Sequence, residues 1–81
     1  MLIIKYNPEF LRLLAKIDNS IKEKIKKQII KIIENPEIGK PMRYARKDTR
    51  EGYISPFRLS YAYIKHENKI VFLDLYHKDK Q

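Results

Sequence analysis

The chain has 81 residues, with 18 Lys and Arg against 10 Asp and Glu, a net charge of +8, and no cysteine. This length predicts one domain over residues 1–81, and the lack of cysteine excludes disulfides and thiolate metal sites while fitting a reducing cytoplasm. No apolar run approaches the roughly 18–20 residues that span a bilayer, so we expect a soluble, cytoplasmic protein without a membrane partner. The positive charge favours nucleic acid or an acidic protein as the partner.

The N-terminal part predicts a strand followed by a helical hairpin. Residues 2–6 form a short apolar run, and Asn7 is a favourable N-cap for a helix over residues 8–17. A second, lysine-rich helix is predicted to be capped by Asn19 or Ser20, and Glu23 would complete a capping box with Ser20. Its buried stripe is predicted to consist of Ile21, Ile25, Ile29, Ile32 and Ile33.

The C-terminal part predicts strands. A short strand over residues 42–44 and an exposed polar loop over residues 45–52 are expected, with residues 50–54 pairing with a strand over residues 57–64. The last strand is predicted over residues 70–76. The fold class is therefore α+β: an N-terminal strand and a helical hairpin packed on one face of a twisted, mostly antiparallel four-stranded sheet.

Strand alternation separates two faces of this sheet. A turn that ends with Asn68 in a left-handed conformation sets Lys65 opposite Lys69, which also sets Arg58 opposite Tyr76. The same register pairs Ser60 with Asp74, Ala62 with Phe72 and Ile64 with Ile70. Tyr53 joins Arg58 if Ile54 faces Phe57. The helix-covered face is predicted to carry Phe57, Leu59, Tyr61, Tyr63, Val71, Leu73 and Leu75.

The uncovered face carries residues suited to phosphate chemistry. Arg58 is always charged and presents a planar fork of donors, which suits a phosphate, although it could instead form a surface ion pair with Asp74. Tyr53 and Tyr76 could stack on bases, contact phosphate or simply pack. His77 is suited to proton transfer near neutral pH, or is a solvated residue near the C-terminus. Two histidines without cysteine or a suitable acidic cluster do not favour a metal site, and we predict no cofactor.

Three motifs carry a resemblance to a known family. They are Gly39-Lys40-Pro41-Met42-Arg43, Pro56-Phe57-Arg58-Leu59-Ser60-Tyr61 and Leu75-Tyr76-His77-Lys78. In this order, together with the helical hairpin, they resemble the RelE/ParE toxin superfamily over the whole chain. The resemblance implies the toxin of a type II toxin–antitoxin system. In the RelE branch such a toxin is a ribosome-dependent endonuclease of messenger RNA.

The resemblance also implies roles for single residues. Arg58 matches the arginine that contacts the phosphate at the cut, and His77 resembles the histidine that transfers a proton in the YoeB-type branch. Cleavage would proceed by attack of the RNA 2′-OH on the adjacent phosphate without a metal. The residues predicted to contact RNA are Arg43, Arg46, Lys47, Arg50, Tyr53, Tyr76 and Lys78.

The implied partners are an acidic RelB-like antitoxin, the ribosome and messenger RNA, with a heterotetramer with the antitoxin left open. Two alternatives also stay open: a ParE-like inhibitor of DNA gyrase, and an RNA-binding module without catalysis. A histidine near Arg58 favours the nuclease. The lysine pair of RelE is not visible, since Arg50, Glu51 and Tyr53 occupy that neighbourhood, and Met42 stands where the YoeB-type branch has a glutamate. These departures favour the alternatives.

Overall fold

A computed structural model describes residues 2–42 and 48–77 of the chain. The elements are, in chain order, β1 (Ile3–Tyr6), α1 (Pro8–Ala15), α2 (Asn19–Glu34), β2 (Lys40–Pro41), β3 (Thr49–Ile54), β4 (Phe57–Ile64) and β5 (Lys69–His77). A short 3₁₀ turn, Lys65–Glu67, joins β4 to β5. Asn68 closes this turn in the predicted left-handed conformation, with φ of 52°.

The sheet has the strand order β1-β5-β4-β3-β2. β1 runs parallel to β5, and the other neighbouring pairs are antiparallel. The α+β class with two helices packed on a mixed sheet is confirmed, but the part of the chain that the structure describes forms a sheet of five strands rather than four. The fifth strand is the two-residue β2 at the sheet edge, whose Lys40 pairs with Glu51 and whose Pro41 pairs with Arg50. These two residues show no alternation of apolar and polar side chains that would predict a strand. They are a strand because they pair with β3 at the edge of the sheet.

Two predictions for the connection between α2 and β3 are wrong in part. The short strand was expected at residues 42–44, but it ends at Pro41, and residues 43 and 44 lie outside the described residues. The polar loop expected over residues 45–52 is a strand from Thr49 onward. Thr49 and Gly52 are buried there, while the intervening charged residues give the segment the composition of a loop.

The hydrophobic core lies between the two helices and one face of the sheet. Of the predicted isoleucine stripe, Ile25 and Ile32 are fully buried and Ile29 is 7% exposed, whereas Ile21 and Ile33 pack at the margin. The other core residues are Phe10, Ile54, Leu59, Tyr61, Ile70, Phe72 and Leu75. Within residues 2–42 and 48–77, neither helix has the length and apolar character needed to cross a membrane.

A β-bulge in β5 divides the β4–β5 register into two parts. The predicted pairs Arg58–Tyr76 and Ser60–Asp74 are confirmed. Beyond Ser60 the register shifts by one residue, so the pairs predicted for Ala62 and Ile64 are wrong. The shift turns Ile70 and Phe72, instead of Val71 and Leu73, into the core, and the ring centroid of Phe72 lies 5.7 Å from that of Phe10.

The helix starts show one confirmed cap and one wrong one. Asn7 caps α1, because its side-chain oxygen accepts a 3.1 Å hydrogen bond from the backbone N–H of Glu9. α2 begins at Asn19 with Asp18 in the cap position, two residues earlier than a Ser20–Glu23 capping box requires. The Ser20 hydroxyl instead donates to the carboxylate of Asp18.

The Tyr61 hydroxyl anchors the connection between α2 and β2. It donates a 2.7 Å hydrogen bond to the carbonyl of Pro36 and accepts one of 2.9 Å from the N–H of Gly39. Burial raises the pKa of Tyr61, so the phenol remains protonated at neutral pH and can serve both bonds. This connection leads directly into β2 and so positions Lys40 at the sheet edge.

Candidate active site

The sheet face opposite the helices, called the open face here, carries two cross-strand rows of side chains. One row runs from Tyr53 through Arg58 to Tyr76. The other contains Lys40, Glu51, Ser60 and Asp74 on four neighbouring strands. Since directly paired residues in antiparallel strands point to the same face, the register alone brings these side chains together.

Glu51 is the centre of the contacts on the open face. Its Oε1 accepts a 2.9 Å hydrogen bond from Nη1 of Arg58, and its Oε2 accepts one of 3.1 Å from the hydroxyl of Tyr76. The side chains of Arg58 and Glu51 are 34% and 21% exposed, so the ion pair is accessible at the surface but partly shielded from water. One carboxylate therefore joins a guanidinium to a phenol.

Two tyrosines flank this ion pair. Cζ of Arg58 lies 5.8 Å from the ring centroid of Tyr53, whose side chain is among the exposed large apolar groups of the chain. Burial raises the pKa of Tyr76, and the hydrogen bond to Glu51 raises it further, so the phenol keeps its proton at neutral pH. The predicted proximity of Tyr53, Arg58 and Tyr76 agrees with the observed register.

Arg50 lies on the other face of the sheet, although it precedes Glu51 directly. Its Nη1 donates to the carbonyls of Glu37, at 3.0 Å, and Gly39, at 2.7 Å, and its Nη2 lies 3.9 Å from the carboxylate of Glu37. The guanidinium thus fastens the connection between α2 and β2. The sequence placed Arg50 with the RNA-contacting residues, but strand alternation separates it from Arg58.

His77 also lies apart from the open face. It is paired with Phe57 at the end of β5, and consecutive strand residues such as Tyr76 and His77 point to opposite faces. Its ring centroid is 5.6 Å from that of Phe57, which packs against the core, in an edge-to-face arrangement. The prediction that His77 neighbours the Arg58 cluster is therefore wrong.

Four of the residues predicted to contact RNA lie outside the described residues: Arg43, Arg46, Lys47 and Lys78. Sequence reasoning missed Glu51 and Lys40 as members of the open face. The signal for Glu51 was present, because setting Ile54 opposite Phe57 also sets Glu51 opposite Ser60. Within residues 2–42 and 48–77, no group of three or more acidic or histidine side chains is arranged to hold a metal ion.

Comparison with known proteins shows which protein family the sequence matches. Residues 4–81 match the family model described as the ParE toxin of the type II toxin–antitoxin system parDE. No curated protein matches the chain significantly.

The fold is similar to that of solved RelE structures. The isolated Escherichia coli RelE toxin superposes with a TM-score of 0.84 at 17% identity, covering 100% of this chain and 88% of that one. The E. coli RelBE toxin–antitoxin complex gives 0.80 at 18% identity, covering 93% and 94% of the two chains. The RelBE2 complex of Mycobacterium tuberculosis gives 0.78 at 21% identity, covering 95% and 98%.

Proposed function

The chain belongs to the ParE toxin family of type II toxin–antitoxin systems, and we propose that it is a ribosome-dependent endonuclease of messenger RNA. The observation that supports the proposal is the partly exposed guanidinium of Arg58, held on the open face beside a carboxylate and between two tyrosines. A sheet face with an accessible arginine and an exposed tyrosine suits an RNA strand, which binds through phosphate contacts and base stacking.

The proposed reaction is an internal transfer at one phosphate. The RNA 2′-oxygen bonds to the adjacent phosphorus, the bond from phosphorus to the 5′-oxygen breaks, and a 2′,3′-cyclic phosphate and a 5′-hydroxyl result. Negative charge grows on the phosphate oxygens during this step, and the guanidinium of Arg58 would stabilise it through charge-assisted hydrogen bonds. This reaction does not require a metal ion.

Other residues of the proposal contact RNA without joining the chemical step. The exposed ring of Tyr53 offers a surface on which a base can stack. Tyr76 neighbours the reacting phosphate in this arrangement. Arg43, Arg46, Lys47 and Lys78 would add phosphate contacts, in keeping with the net charge of +8. His77 has no part in the chemical step of this proposal, because it lies on the other side of β5.

Single-turnover cleavage of messenger RNA on a programmed ribosome tests the role of Arg58. Arg58→Ala should lower the rate about 10²–10³-fold, because one preorganised charge at the transition state is lost. Arg58→Lys should recover only part of the rate, because an ammonium cannot reproduce the fork of donors. Arg12→Ala is the matched control, since Arg12 is 60% exposed and pairs with Glu9 on α1. A folded Arg58→Ala protein that cleaves at the wild-type rate would overturn the proposal.

Inhibition of DNA gyrase is the second candidate function. The observation that favours it is the matching family model, which is that of the ParE toxin. A supercoiling assay with purified gyrase, run beside primer extension on a translated message, separates the two candidates. Gyrase poisoning together with intact message would favour this second function.

An acidic antitoxin is the proposed partner. RelE toxins have been solved in complex with RelB antitoxins, and a chain of net charge +8 should attract an acidic segment. Such a complex should weaken as salt is added, because exposed charges are screened over about 10 Å at 0.1 M ionic strength. Recovery of a small acidic protein with the tagged chain from its host, at low salt and not at high salt, is the expected result.

A further inference from the structure

We infer that Glu51 is the general base of the proposed reaction, taking the proton from the attacking 2′-hydroxyl. The inference rests on the proposed function and adds to it a residue that the sequence did not single out. Glu51 contacts the guanidinium of Arg58, which is the proposed phosphate ligand. A phosphate bound by Arg58 would therefore also lie close to the carboxylate of Glu51. The 2.9 Å hydrogen bond between Arg58 and Glu51 establishes that proximity.

Position on the sheet favours Glu51 over the other carboxylate of the open face. Asp74 lies on β5, is exposed, and accepts a 2.8 Å hydrogen bond from the N–H of Leu75 through one of its oxygens. Glu51 lies on β3, diagonal to Arg58, and contacts both Arg58 and Tyr76. A general base has to lie within hydrogen-bond reach of the proton that it removes, and Glu51 is the carboxylate beside the proposed phosphate ligand.

The surroundings of Glu51 also provide a donor for the proton that the departing 5′-oxygen needs. The 2′-oxygen loses its proton to Glu51 and bonds to phosphorus, while the hydroxyl of Tyr76 gives its proton to the departing 5′-oxygen. The protonated Glu51 then returns a proton to the Tyr76 oxygen along their 3.1 Å hydrogen bond. Both side chains end in their initial states, and no proton is gained or lost overall.

Charged and titratable groups face Glu51 from every neighbouring strand. Arg58 faces it from β4, Lys40 from β2, and Asp74 and Tyr76 from β5, while Tyr53 follows it on the same face of β3. The pH dependence of cleavage is therefore expected to depend on this cluster.

Glu51→Gln tests the inference, because the amide keeps the shape of the side chain and loses its basicity. Single-turnover cleavage on programmed ribosomes should fall about 10²–10⁴-fold, with ribosome binding unchanged. In the wild type the rate should rise with pH on the acid side of the profile, and Glu51→Gln should abolish that rise. Glu51→Asp keeps a carboxylate and should cleave faster than Glu51→Gln.

Glu67→Gln is the matched control, since Glu67 is exposed in the turn that follows β4, at the opposite end of that strand from Arg58. A wild-type rate for folded Glu51→Gln would overturn the inference alone. A faster rate would overturn it as well, because Glu51 would then only withhold Arg58 from the phosphate. A wild-type protein that leaves the message intact would overturn the proposed function, and the inference with it.

Discussion

Replacing Gly39 with alanine should destabilise the protein through a collision with Tyr61. A Cβ atom at Gly39 would lie 2.5 Å from the Tyr61 hydroxyl oxygen, 2.8 Å from Cε1 and 3.0 Å from Cζ. The Tyr61 ring cannot move away easily, because it is fully buried and its hydroxyl is bound to Pro36. The backbone of Gly39 does not have a positive φ, so the cost arises from the contact and not from backbone conformation.

The expected magnitude combines overpacking with a lost hydrogen bond. Overpacking of a filled core costs about 1–3 kcal/mol, and separating the N–H of Gly39 from the Tyr61 oxygen costs about 1 kcal/mol more. For a domain of this size, about 2–4 kcal/mol lowers the melting temperature by roughly 10–30 °C. This is a large part of the approximately 5–15 kcal/mol that holds a domain folded.

Gly52→Ala is the matched control for this experiment. A Cβ atom at Gly52 would lie 3.3 Å from the amide nitrogen of Gln28, which is the far end of a flexible side chain. Its thermal and urea unfolding should therefore stay within about 1 kcal/mol of the wild type. Tyr61→Phe removes the hydroxyl that the new methyl group meets, so Gly39→Ala should cost less in that background. Equal melting temperatures for Gly39→Ala and Gly52→Ala would refute the reasoning.

Two further predictions concern the core and its titration. Ile25→Ala removes a fully buried side chain and should lower the free energy of unfolding in urea by about 2–5 kcal/mol. Lys24→Ala, at an exposed position, should change it little, and equal decreases for the two variants would contradict the assigned buried face of α2. Because the pKa of Tyr61 is raised in the folded state, its contribution to stability is complete below about pH 10 and is lost as pH rises through the folded-state pKa. The free energy of unfolding of the wild type should therefore fall more steeply above about pH 10 than that of Tyr61→Phe, as followed by alkaline titration at several urea concentrations.

Elements with strong periodic patterns were predictable from the sequence. The isoleucine spacing located α2, and alternation in β4 separated Arg58 from Leu59 and Tyr61, which are buried. The pairing of Arg58 with Tyr76 was predicted from a turn that sets Lys65 opposite Lys69, but this turn is one residue longer and sets Ile64 opposite Lys69. The bulge in β5 compensates for the difference, so the predicted pairing of Arg58 with Tyr76 is still found. These features depend on local spacing, which a single sequence contains.

Features that depend on tertiary fit were not predictable in the same way. The bulge in β5 turns Phe72 towards Phe10 and Tyr61, a packing choice that alternation cannot anticipate. The polar composition of residues 49–52 is typical of a loop, so the sequence did not predict that β3 begins at Thr49 or that Glu51 lies within it.

His77 was misplaced for a related reason. The last strand was expected to end at residue 76, which left the side of His77 undetermined. The strand continues through His77, so alternation with Tyr76 turns the imidazole towards Phe57.

The pairing of the first strand with the last has a consequence for synthesis of the protein. β1 lies parallel to β5, where Ile3 is paired with Lys69 and Tyr6 with Phe72. These pairs cannot form during translation until almost the whole chain has been synthesised. β5 also contains Tyr76, whose hydroxyl donates a hydrogen bond to Glu51. A polypeptide interrupted before β5 lacks both the closing strand of the core and part of the open face. Truncated translation products should therefore be unfolded and harmless to the cell that makes them, and activity should appear only with the finished chain.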